Sequence, residues 1–134
     1  MIRVLIADDH PFVRAGVAAL LTAAKDIQLL AECEDGDEVV RVADALEPDV
    51  ILMDVDMPRR SGFEATSDLM SRHPDLRVII LSVSLETGGG PEIAAQAGAV
   101  GYMLKGNPGQ LVEAVRTVAS GKTAWPPDFT PVPD

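Results

Sequence analysis

The sequence predicts an α/β domain: five βα units forming a doubly wound parallel sheet with helices on both faces. Three observations carry this. Short apolar runs alternate with segments of helical period from end to end of the chain. The first run, RVLIA, is apolar almost throughout rather than at every second position, as in a strand buried on both faces. Five such units follow one another without interruption, which implies parallel pairing and crossover helices.

The elements justify themselves in order. The strand RVLIA (3–7) stops at Asp8-Asp9, and the helix over 11–24 opens on Pro11, suited to a first turn, with Val13, Val17, Leu20 and Ala24 on one face. IQLLAEC (27–33) is the second strand; the helix over 35–46 has Asp35 or Asp37 as cap. DVILMD (49–54) is the third strand, entered through Glu47-Pro48, and the helix over 62–73 is stopped by Pro74. RVIILSV (77–83) is the most β-branched strand, followed by a short helix over 91–98 closed by Gly98. VGYMLK (100–105) is the fifth strand, and the last helix runs over 108–120 to Gly121. The tail holds Pro126, Pro127, Pro131 and Pro133 and reads as an extended segment or linker leaving the domain.

With 134 residues and 47% hydrophobic content, the chain suits one compact domain with its own core. The formal charge of −10, without a basic cluster, argues against binding of DNA, RNA or anionic membranes by this domain. Cys33 is the single cysteine, so no intrachain disulfide forms, and its apolar surroundings predict a buried structural thiol. No apolar run approaches a membrane span and MIRVLIADDH lacks the pattern of a signal peptide, so a reducing, cytoplasmic setting is the default.

Function is sought where the strands end, because ligands of open α/β sheets bind beyond the carboxyl ends of the strands. Strand one ends at Asp8-Asp9, strand three at Asp54, strand four near Ser82 and strand five at Lys105. Carboxylates gathered on one rim repel and raise one another's pKa, and a hard divalent cation such as Mg²⁺ relieves that repulsion. Asp54 then serves as a nucleophile toward a phosphoryl group, Lys105 as a charge for one phosphoryl oxygen and Ser82 as a hydrogen-bond donor to another. The pair Asp54/Asp56 in DVDMP also admits a phosphatase dyad of nucleophile and acid/base. That motif stands on the third strand here, with proline at 58 and a short chain after it, unlike the haloacid-dehalogenase-like pattern it resembles. Periodicity does not say which strands are neighbours.

VLIADDHPFVRAG, DVILMDVDMPRRSGFEA, VIILSVS and AGAVGYMLKG resemble the receiver domain of bacterial two-component response regulators, and ADDHP and GYMLKG are most similar to its NarL/LuxR-type subfamily. The resemblance covers about residues 2–121. It implies a flavodoxin-like (βα)5 fold of strand order 2-1-3-4-5, a receiver domain over 1–121, and a linker over 122–134 leading to an output domain, of helix-turn-helix type and DNA-binding, absent from this chain. It implies a signalling phosphoacceptor rather than an enzyme: Asp54 takes a phosphoryl group from a sensor histidine kinase. It implies that Mg²⁺ is held by Asp9, Asp54 and the backbone carbonyl of Asp56, with Asp8 nearby through water, and that Ser82 and Tyr102 form the switch and Lys105 contacts the phosphate. A homodimer is left open.

Each feature has a plainer reading. Asp8-Asp9 would also cap a helix, although one aspartate suffices for that. Tyr102, the single tyrosine, alternates with Met103 across the sheet and is expected half exposed on an outer face, free to swing inward on phosphorylation. His10 and His73 read as surface or capping residues. TGGGP (87–91) lacks the spacing of a phosphate-binding loop and reads as a flexible connection, less usual for the family, which keeps a phosphorylation-independent binding module as a rival. The side chain of Asp56, at the mouth of the site, is expected to tune how fast the phosphoryl group enters and leaves.

Overall fold

A computed structural model describes residues 1–83, 89–106 and 109–131. The chain alternates β1 (Ile2–Ala7), α1 (Pro11–Ala23), β2 (Ile27–Cys33), α2 (Gly36–Leu46), β3 (Val50–Asp54), α3 (Gly62–Arg72), β4 (Arg77–Ser82), α4 (Gly90–Ala97), β5 (Gly101–Leu104) and α5 (Gly109–Ala119). The strands form one sheet in the order β2-β1-β3-β4-β5, and every pair is parallel. This is the expected flavodoxin-like (βα)5 arrangement.

Alternation along the strands sends neighbouring residues to opposite faces. Leu5, Ala7, Ile51, Met53, Val78, Ile80 and Tyr102 face one layer with Val39 and Ala43 of α2, Leu69 of α3 and Ala94 of α4. Val4, Ile6, Val50, Leu52, Ile79 and Leu81 face the other, with Val17 and Leu21 of α1 and Leu111, Val115 and Val118 of α5. Both faces are covered, so all five residues of β3 are buried. Burial also holds the Cys33 thiol protonated, its pKa pushed up to about 12.

Helix termini follow local chemistry. Asp35 caps α2 by accepting from the Glu38 N–H at 2.7 Å. Ser61 and Glu64 form a reciprocal capping box on α3. Gly98 closes α4 with φ of 102°, a backbone conformation that disfavours side chains. The helix over 91–98 begins one residue early, at Gly90. Part of the TGGGP connection (87–88), the expected helix start at Pro108 and the end of the tail, including Pro133, lie outside the described residues.

The first residues of the tail lie against the domain. Ala124 bridges β5 on its outer edge, accepting from the Tyr102 N–H at 3.0 Å and donating to the Val100 carbonyl at 2.9 Å. Trp125 packs against the α2–α4 layer and meets Phe129 edge-on at 5.1 Å. Gly101 permits this approach, since a Cβ there would lie 2.9 Å from the Ala124 carbonyl oxygen.

Candidate functional site

β1 leads to β2 on one side and β3 lies on its other side, so the order reverses at the β1/β3 boundary. The carboxyl ends of β1 and β3 therefore sit side by side, and β5 reaches them across β4. This brings together Asp8, Asp9, Asp54, Ser82 and Lys105.

Asp8 is completely buried and held at its backbone: its N–H donates to the Cys33 carbonyl at 3.0 Å and its carbonyl accepts from Arg14 Nη1 at 2.7 Å. Asp54, the last residue of β3, is 3% exposed. Lys105 follows β5, and its N–H donates to the Ser82 carbonyl at 2.8 Å, tying the ends of β4 and β5 together. The Lys105 Nζ lies 2.8 Å from Asp54 Oδ1 and 3.0 Å from Asp8 Oδ2.

Burial pushes the Asp54 carboxyl up to a pKa of about 6; Lys105 opposes the shift and the charge of Asp8 adds to it. Burial alone would lower the Lys105 pKa, but its hydrogen bonds to Asp54 and Asp8 outweigh that and the net displacement is upward. One ammonium thus faces two buried carboxylates, with Asp9 beside them. Among the described residues Asp54 Oδ2 has no hydrogen-bond partner, although it is buried. An orphaned carboxylate oxygen amid an excess of negative charge fits a small hard divalent cation, for which Asp8, Asp9 and Asp54 supply oxygen donors.

The loop from β3 to α3 shapes the mouth. The Arg60 N–H donates to the Pro58 carbonyl at 2.9 Å and Arg59 between them takes φ of 72°, a tight three-residue turn. Gly62 then lies against the backbone of Asp54, where a Cβ would collide with its carbonyl oxygen. Arg59 pairs with Asp35, the cap of α2, and Arg60 with Asp37 of α2 and Asp68 of α3, holding the loop to both helices. Above it opens a cavity of about 330 Å³ whose lining includes His10, Asp54, Asp56, Ser82, Tyr102 and Lys105. Asp56 is exposed at its rim.

Two expectations need correction. Tyr102 is 2% exposed, not half exposed. Its alternation with Met103 is as expected, but α4 covers its face, and the first residue of α4, Gly90, abuts the tyrosine hydroxyl. The ring already points inward, so no inward swing remains available to it. His10 is the other. It occupies the position before α1 but makes no side-chain cap; its Nδ1 lies 3.0 Å from Asp8 Oδ1, 3.2 Å from Asp9 Oδ1 and 3.1 Å from Lys105 Nζ. The signal available in the sequence was adjacency, an imidazole directly after two aspartates at a strand end. Arg14, which fixes the Asp8 carbonyl, gave no signal beyond its place on α1.

Comparison with known proteins agrees with this fold. Residues 4–116 match the response regulator receiver domain family. The chain is 42% identical to the response regulator GacA of Pseudomonas viridiflava over 123 residues, 91% of this chain and 57% of that protein. It is 43% identical to the transcriptional regulatory protein YxjL of Bacillus subtilis over 125 residues, 92% of this chain and 57% of that protein. The chain thus spans little more than half the length of these relatives. Among solved structures, the signal receiver domain of the putative response regulator NarL from Mycobacterium tuberculosis superposes with a TM-score of 0.85 at 32% identity, covering 90% of this chain and 98% of that one. A LuxR-family two-component response regulator from Aurantimonas gives a TM-score of 0.86 at 31% identity, covering 94% and 90%.

Proposed function

The chain belongs to the response regulator receiver domain family, and on that premise we propose that it is a signalling phosphoacceptor in which Asp54 takes a phosphoryl group from a sensor histidine kinase. The observation that carries the reading is Asp54 itself: buried at a strand end, 2.8 Å from Lys105 at one oxygen and unpartnered at the other among the described residues.

In the proposed reaction an ionised oxygen of Asp54 attacks phosphorus, a P–O bond to Asp54 forms, and the P–N bond to the donor imidazole breaks, its electron pair leaving with the imidazole. Lys105 moves its hydrogen bond from Asp54 to a phosphoryl oxygen, and Ser82 donates to a second. Bound Mg²⁺, held by Asp9, Asp54 and the backbone carbonyl of Asp56 with Asp8 alongside, would neutralise phosphoryl charge. The pull on Ser82 and Lys105 passes into β4 and β5, which their backbone hydrogen bond joins. Tyr102, wedged between β5 and the start of α4, carries the change to α4 by shifting that helix rather than by swinging inward. The Asp56 side chain, at the rim, tunes entry and loss of the phosphoryl group. The output is transcription, through a helix-turn-helix domain joined by the linker after the receiver, with self-association of the receiver as one route.

The test is intact mass after incubation with Mg²⁺ and acetyl phosphate. The expected result is a gain of one phosphoryl group in the wild type, dependent on Mg²⁺ and lost in Asp54→Asn. An unchanged wild-type mass, with Mg²⁺ binding retained, would leave the phosphorylation-independent binding module as the better reading.

A further inference from the structure

We infer that His10 is a nitrogen ligand of the cation gathered by the aspartates, and that it makes this pocket favour first-row divalent transition-metal ions over Mg²⁺. The inference rests on reading the pocket as a cation site.

Lys105 and His10 divide the carboxylates between them. The ammonium takes Asp54 Oδ1 and Asp8 Oδ2. Of the remaining oxygens, Asp8 Oδ1, Asp9 Oδ1 and Asp54 Oδ2 lie 3.0, 3.2 and 3.7 Å from His10 Nδ1. One ligand atom from each of Asp8, Asp9, His10 and Asp54 lies within 4.8 Å of those of the other three. Neighbouring donors around an octahedral ion with bonds of about 2.1 Å are about 3.0 Å apart. Two of the three separations from Nδ1 are near that value already, and the third needs a side-chain adjustment well under an ångström. The independent observation is Asp54 Oδ2, buried, aimed into this space and lacking a hydrogen-bond partner among the described residues.

The imidazole is presented for the task. The His10 N–H donates to Asp8 Oδ1 at 2.8 Å, which fixes the residue beside the carboxylates. Nδ1 points in, while a side chain that is 55% exposed leaves the rest of the ring to water. Flanking Nδ1 are carboxylate oxygens and, at 3.1 Å, the Lys105 ammonium. A proton on Nδ1 would donate to Asp8 Oδ1 but face the ammonium, and a lone pair would accept from Lys105 but face the carboxylates, so either form meets only half of its surroundings. A metal ion between Nδ1 and the oxygens satisfies the lone pair and the carboxylates together. Imidazole is a weak partner for Mg²⁺, whose preferred donors are oxygens, but a good one for ions from Mn²⁺ to Zn²⁺. His10 therefore adds affinity selectively for the latter.

The full chain loaded with Mn²⁺ is examined by electron spin-echo envelope modulation, and Ni²⁺ and Mg²⁺ affinities are measured by calorimetry. The expected results are a modulation from directly bound ¹⁴N that disappears in His10→Ala, and a loss of about tenfold or more in Ni²⁺ affinity with Mg²⁺ affinity changed less than about twofold. His73→Ala, at the far end of the molecule, is expected to leave the modulation in place. Absence of the ¹⁴N signal in the wild type, or Ni²⁺ affinity indifferent to His10→Ala, overturns the inference. Asp54→Asn separates the two levels. If it weakens both metals while His10→Ala weakens neither, His10 alone was misread; if it weakens neither, the cation site is wrong and the inference falls with it.

Discussion

The two rims of the sheet treat charge in opposite ways. At the amino ends of the strands, charges are exposed or half-buried and matched. Arg3 donates to the carbonyls of Leu46 and Glu47 at the end of α2, Arg116 chelates Asp26, and Asp44 is shared by Arg72 and His73. At the carboxyl ends, Asp8 and Asp54 are buried against one lysine, and an oxygen of Asp54 lacks a hydrogen bond among the described residues. A larger open groove, of about 800 Å³, lies at the amino rim, yet the chemistry proposed above uses the smaller cavity. Size does not mark the site; uncompensated burial does, because buried charge is costly and persists where a ligand completes it.

Breaking the carboxyl rim sterically should have the largest effect. In Gly62→Ala the new methyl meets the Asp54 carbonyl, so α3 must separate from β3, and a loss of about 3 kcal/mol or more is expected in urea unfolding. Removing charge from the same rim should do the reverse. With its pKa pushed up to about 6 against about 4 unfolded, Asp54 favours folding below the unfolded value and opposes it as pH rises through the folded one. Metal-free protein should therefore lose stability from about pH 4 to 7, by up to about 3 kcal/mol. Asp54→Asn should flatten that limb and be more stable than wild type at pH 7; an unchanged slope would break the comparison.

Gly90→Ala pushes on the buried Tyr102 hydroxyl. A change in near-ultraviolet circular dichroism with a loss of about 1 kcal/mol is expected, partly recovered when Tyr102→Phe is added. The amino rim should respond least. Asp26 and Asp44 have lowered pKa values, held down chiefly by Arg116 and by His73. Their contribution is present above the unfolded pKa and lost as pH falls through the folded one, the opposite limb to Asp54. Because these pairs are largely exposed, Asp44→Asn should move the melting temperature only slightly, and added salt should shrink the difference further.

The sheet and its order were legible because apolar runs and helix caps are local signals, and because GYMLK and DVILMD carry the family pattern. Asp54 and Lys105 were legible as polar residues ending buried strands. His10 was legible only as an imidazole beside two aspartates; its approach to Asp54 and to Lys105, 95 residues later, depends on the fold. Alternation assigns Tyr102 a face without saying what covers it, and α4 covers it. Prolines in the tail signal the absence of a helix, but composition reveals neither that Ala124 has a strand to lie against nor the turn between Pro126 and Phe129.

The placement of Ala124 bears on how the molecule behaves in a crowd. An outermost strand presents unpaired N–H and C=O groups, a template on which another chain can extend the sheet. Here the chain's own tail fills that position at Tyr102 and Val100, and Trp125, packed on the same layer as Tyr102, helps to hold it there. The segment is a self-supplied guard against strand addition, and a protein shortened after Gly121 should aggregate through the strand it uncovers.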